Sequence, residues 1–137
     1  MLKTLFPMLT QYVETSPATG DYNCIAWACG DNTRWWWPDS SVYWPTNIRC
    51  DETIEAFDEL FKSGGAFEVF TEDLEWGIVK IALFAKNDKP THAARQLSNG
   101  MWTSKLGAAV DIAHSLREIE GVNYGTAIKL YGVKVPP

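Results

Sequence analysis

The chain has 137 residues, 12 of them basic and 17 acidic, for a net charge of −5. With 46% apolar residues it can bury the core of one domain spanning residues 1–137, and general disorder is excluded. The acidic balance argues against a nucleic-acid partner, because phosphate binding requires a basic footprint. No apolar run approaches the roughly 18 residues that crossing a membrane takes, so no membrane partner is expected.

Residues 1–10 hold one lysine and a short apolar stretch broken by Pro7. A secretory signal needs a longer apolar region and a small-residue cleavage site. The expectation is a structural segment in a protein that is cytoplasmic as synthesised, with non-classical export left open. Cys24, Cys29 and Cys50 are an odd number, which argues against a disulfide framework and for at least one free thiol. Residues 22–29 (YNCIAWAC) set small and apolar side chains at helical spacing, and Gly30 can end that helix. Residues 31–50 hold four of the seven tryptophans between Trp35 and Trp44, with Pro38 and Pro45 among them. The prolines forbid a long regular element, so this is an aromatic loop.

Residues 51–63 predict a helix with Asp51 as its cap and Ile54, Phe57, Leu60 and Phe61 on one face, stopped at Gly64-Gly65. Strands are expected over 66–70, 78–85 and 92–97. Ser98-Asn99-Gly100 reads as a hairpin turn into a return strand over 101–105. Gly107 leads into a helix expected over 108–119, ended by Gly121, and residues 124–133 form a last strand. Helices followed by a mainly antiparallel sheet make an α+β architecture.

Cys24 opens the first helix, where unpaired N–H groups and the helix dipole favour a thiolate. The bland alternative is a small buried core residue. A thiol nucleophile needs a base that works near neutral pH, and imidazole suits that. His92 and His114 are the only histidines. His92 begins a strand among small neighbours, whereas His114 reads as a surface residue on a helix, sharing a face with Asp111. An orienting partner for the imidazole is needed. The hairpin sets His92 roughly opposite residue 106 or 107, and spacing leaves Ser104 and Asp111 both open. Trp35, Trp36, Trp37, Tyr43 and Trp44 could stack on a sugar or clamp a peptide, or else fold over the sheet and complete a core. The cysteine and histidine spacings match no zinc pattern, and no Gly-rich loop follows a strand, so neither metal nor cofactor is expected.

The order of these pieces carries a resemblance. Asn23-Cys24-Ile25-Ala26-Trp27-Ala28, then His92-Ala93-Ala94-Arg95-Gln96-Leu97, then the Asn99-Gly100 turn and Trp102 to Gly107, resemble small bacterial members of the papain-like superfamily. The style is that of the NlpC/P60 and CHAP amidases. The stretch from 22 to 132 is also similar to a bacterial domain family marked by NCIAWA, WWWP and THAARQL motifs. The resemblance implies a papain-like α+β fold, with a cysteine-bearing helix packed on the sheet. It implies Cys24 as nucleophile and His92 as base, and points to Ser104 for the third role. Asn23-Cys24-Ile25 replaces the family's Asp-Cys-Ser, so substrate class is not inherited. The implied activity is amide hydrolysis or acyl transfer on a peptide or protein, peptidoglycan peptides included. The Cys24 backbone N–H and a donor near Tyr22 or Asn23 would hold the oxyanion. The rival is a non-catalytic or immunity-type module whose tryptophan loop grips a protein or glycan.

Overall fold

In a computed structural model of the chain, residues 5–9, 12–16, 19–106 and 108–134 are described. Gly107, expected to lead into a helix, lies outside them. The elements run β1 (Val13–Ser16), α1 (Cys24–Ala28), α2 (Ile54–Ser63), β2 (Phe67–Val69), β3 (Ile78–Lys86), β4 (Lys89–Gln96), β5 (Trp102–Lys105), β6 (Asp111–His114), a 3-10 turn (Leu116–Ile119) and β7 (Thr126–Lys134). The strands form one sheet in the order β1-β6-β5-β4-β3-β7-β2, every pairing antiparallel. The α+β expectation therefore holds.

The long apolar run of β3 is explained by its place. It lies between β4 and β7 with both faces covered, so its side chains need not alternate with polar ones. Ile81 and Leu83 join Ala93 and Tyr131 in a core beneath α1, α2 and the aromatic loop. Ala82 and Phe84 join Ala94, Trp102, Ile112 and Leu116 in a second core on the opposite face. Asn87 and Asp88, both at positive φ, turn β3 into β4, a turn that suits these residue types. Lys80 is buried on β3, its Nζ held by the carbonyls of Thr71 and Asp73 and by Glu75.

Two expectations are corrected. The cap of α2 is Thr53, whose Oγ1 accepts from the Ala56 N–H at 3.2 Å; Asp51 accepts from the Thr53 hydroxyl instead. The helix expected over 108–119 is β6 followed by a 3-10 turn. β6 lies between β5 and β1 and all four of its residues are buried. A segment apolar at nearly every second and third position fits either period, and sheet pairing decided it. Asp111 and His114 therefore point to opposite faces.

Candidate functional site

The site starts where the sheet parts. β4 and β5 pair only at Arg95↔Thr103 and Gln96↔Trp102, and α1 packs against both strands. Asn23 fixes the start of α1. Its Oδ1 accepts from the Ala26 and Trp36 N–H groups, and its Nδ2 donates to the Trp36 carbonyl. One side chain thus caps the helix and pins the aromatic loop. Cys24 follows, 7% exposed. The backbone N–H groups of Ala93, Ile25 and Cys24 itself favour its thiolate, but burial outweighs them and pushes the thiol up to about 11. At neutral pH the sulfur is protonated.

His92, Ser104 and His114 lie beneath, on the face of the second core. His92 Nε2 is 2.9 Å from Ser104 Oγ, which is 2.6 Å from His114 Nε2. His114 Nδ1 is 2.8 Å from the Ser115 carbonyl oxygen. The proton positions follow from what each atom can do. A carbonyl only accepts, so His114 Nδ1 carries hydrogen and its Nε2 is bare. Ser104 must then donate to His114, and its oxygen accepts from His92 Nε2–H. His92 Nδ1 is left as a bare lone pair. It is buried and has no hydrogen-bond partner. Burial first, then His114, holds the His92 pKa well below the ordinary imidazole value. The ring is neutral at pH 7.

Tyr124 connects this chain to the cysteine. Its ring lies flat on His92, 4.1 Å between centroids and 4° between planes. It also lines a cavity of about 440 Å³ with Cys24, Asn23, Trp35, Trp37 and Thr91. The Thr91 hydroxyl donates to the Tyr124 carbonyl. Among the described residues no hydrogen bond joins the Cys24 thiol to the His92 ring. The thiol sits over Ala93, whose side chain belongs to the first core, while the His92 ring turns toward Phe84 and the second.

Of the other residues singled out, Asp111 is not brought to either histidine. It points to the α1 side, where its Oδ2 accepts from the Tyr22 hydroxyl at 2.5 Å. Lys105 lies above the Tyr22 ring and donates to the Thr19 and Ala109 carbonyls. Of the aromatic loop, Trp35 and Trp37 face the Cys24 cavity. Trp36 and Trp37 pack on the first core and Trp44 is buried in it. Trp37 and Trp44 both lean on Phe57, and Tyr43 is sandwiched between Trp36 and Arg34. The loop is chiefly a wall. Sequence reasoning set His114 aside as a surface residue because it assigned the helical period there; His114 is buried on β6, and alternation from Ile112 would have set it beside Ser104. Among the described residues no cluster of histidine, cysteine and carboxylate side chains is placed to hold a metal ion.

The fold and site define an α+β domain in which a cysteine-bearing helix meets an antiparallel sheet beside a buried histidine–serine–histidine chain. The chain belongs to the family described as "Domain of unknown function (DUF7689)", whose model matches residues 13–132. No curated protein and no solved structure matches it. No helix among the described residues is long and apolar enough to cross a membrane.

Proposed function

We propose that this protein is a papain-like cysteine hydrolase or acyltransferase acting on an amide bond of a peptide or protein, peptidoglycan peptides included. The observation that carries the reading is the bare, buried Nδ1 of His92, whose tautomer is set by Ser104 and His114. A base needs one open lone pair and a fixed partner on its other nitrogen. His92 Nδ1 takes the Cys24 proton as the sulfur attacks the carbonyl carbon. The C=O electron pair moves to oxygen, and the tetrahedral adduct collapses as the imidazolium returns the proton to the leaving amine. Water or a second amine then attacks the thioester, with His92 again taking a proton. In the unliganded protein the His92 ring lies on the second-core face against Phe84 and Tyr124, so the step requires the ring to turn toward the Cys24 cavity when substrate enters.

The oxyanion falls to the backbone N–H groups at the start of α1. The first helical bond within the chain runs from Trp27 N to Asn23 O, and Asn23 Oδ1 takes the Ala26 N–H. The Cys24 and Ile25 N–H groups, which favour the Cys24 thiolate in the unliganded protein, would pass to the oxyanion. A donor of this type is typically worth about 3–4 kcal/mol. Asn23 and Tyr22 are committed elsewhere, so neither supplies the second donor. The binding-module reading loses support because most of the tryptophan loop packs inward.

The test uses p-nitrophenyl acetate as acyl donor, with intact and peptide mass spectrometry. The expected result is an acetyl adduct on Cys24 that turns over, absent in Cys24→Ala and formed about a hundredfold or more slowly in His92→Gln, the usual size of a lost general base. Acetylation confined to the exposed Cys50, or unchanged by His92→Gln, would overturn the proposal.

A further inference from the structure

Arg95 projects from β4 on the same face as Ala93, two residues along. Its guanidinium carbon lies 4.2 Å above the Trp27 ring. Among the described residues no carboxylate forms an ion pair with it. Burial lowers the Arg95 pKa and the Asp111 charge only partly offsets it, so the half-buried guanidinium has lost part of its hydration with no carboxylate in contact to replace it. The side chain borders a second cavity, of about 340 Å³, separate from the one at Cys24. Val79, Ile81 and Val133 from the sheet, Leu60 and Phe61 from α2, and Trp36 from the aromatic loop line it.

Several polar groups at and next to the cavity are already used. The carbonyls of Phe61 and Lys62 at the end of α2 accept from Gly64, Ala66 and Gly65. Those of Ile25, Ala26 and Trp27 in α1 accept from Cys29, Asp31 and Gly30. Ser63 donates to the Leu60 carbonyl. Cys29 stays a neutral thiol, burial holding it up at about 12. Among the described residues that line the hollow, Arg95 carries the one charged side chain, and most of the rest are apolar. The Trp27 ring lies against its guanidinium, and the planar donor fork is the form suited to a two-oxygen acceptor.

We propose that this cavity binds a small apolar monocarboxylate, its chain against the valine, leucine and phenylalanine side chains and its carboxylate on the Arg95 guanidinium. The volume falls within the range of small-molecule pockets, and an inorganic anion would leave the apolar walls unfilled. The site stands whether or not Cys24 is a nucleophile.

The test is calorimetric titration of Cys24→Ala protein with hexanoate, octanoate and decanoate, against 1-octanol and octylamine. Cys24→Ala keeps thiol chemistry out of the measurement. Saturable binding is expected for the acids, with octanol at least tenfold weaker and octylamine not bound. Arg95→Gln should weaken octanoate tenfold or more, and Arg95→Lys should restore only part of it. Val79→Phe, which fills the cavity and leaves Arg95 in place, should abolish binding; it keeps the proposal testable if Arg95→Gln does not fold. Equal affinity for octanol and octanoate, no binding of any acid, or unchanged binding in Arg95→Gln or Val79→Phe would each overturn it.

Discussion

The Cys24 sulfur has three backbone N–H groups favouring its charge, yet its thiol titrates near 11 because burial costs more than those donors return. The resting site holds a neutral thiol on one face of the sheet and a neutral imidazole on the other. The proton must move when substrate arrives, with His92 as a general base in the step itself. Alkylation by iodoacetamide reports this directly, since only the thiolate reacts. In substrate-free protein the Cys24 rate, followed by peptide mass mapping, should rise about tenfold per pH unit from pH 7 to pH 10. A plateau at neutral pH would mean a thiolate–imidazolium pair formed before substrate binds. Cysteine at a helix start was legible in the sequence; its raised titration was not, because that depends on burial at the first core, which is assembled from α1, α2 and the sheet.

At the scale of elements, the turn before β7 holds Tyr124 against His92. Gly121 and Gly125 exchange backbone bonds of 2.9 and 2.7 Å, and Gly125 has φ of 73°. A Cβ there would lie 2.1 Å from the Ala85 carbonyl oxygen, so β3 and this turn touch backbone to backbone. Gly125→Ala should cost roughly 2 kcal/mol from the left-handed backbone alone, and more from the contact with Ala85. The fall in Tm should come with loss of Cys24 acylation, because Tyr124 is displaced. Full stability and full acylation in this variant would contradict the placement. The β3 run, the Asn99-Gly100 hairpin and the Gly64-Gly65 stop were readable because each rests on local chemistry. β6 was not, since Asp111–His114 is a strand only by virtue of its neighbours β5 and β1. The same error hid His114. Once β6 is a strand, Trp102↔His114 and Ser104↔Ile112 are partners, and the histidine and serine fall on one face.

For the whole molecule, the sheet is a partition with a core on each side, and the site crosses it. Tyr22, Cys24, Lys105 and Asp111 belong to the α1 side; His92, Ser104 and His114 belong to the other. Burying two neutral imidazoles in the second core has a consequence for stability. Burial is the first cause lowering both pKa values; His114 adds to it at His92, while Ser115 and Glu118 partly oppose it at His114. In the unfolded chain both rings bind protons near pH 6.5, whereas in the folded protein they resist doing so. The unfolded state therefore holds more protons below that pH, and stability falls as pH drops. The contribution is complete above about pH 7 and is lost downward through 6.5 toward the lower folded values, by up to about 1.4 kcal/mol per pH unit per ring. The carboxylates whose pKa values are lowered, such as Asp58, act in a more acidic window and do not confuse the result. Urea unfolding at pH 7.5, 6.5 and 5.5 should give steadily lower stability, and His114→Gln should flatten the slope by removing one titrating ring. A profile level across that range would mean that both imidazoles accept protons in the folded protein, against the burial that lowers both pKa values.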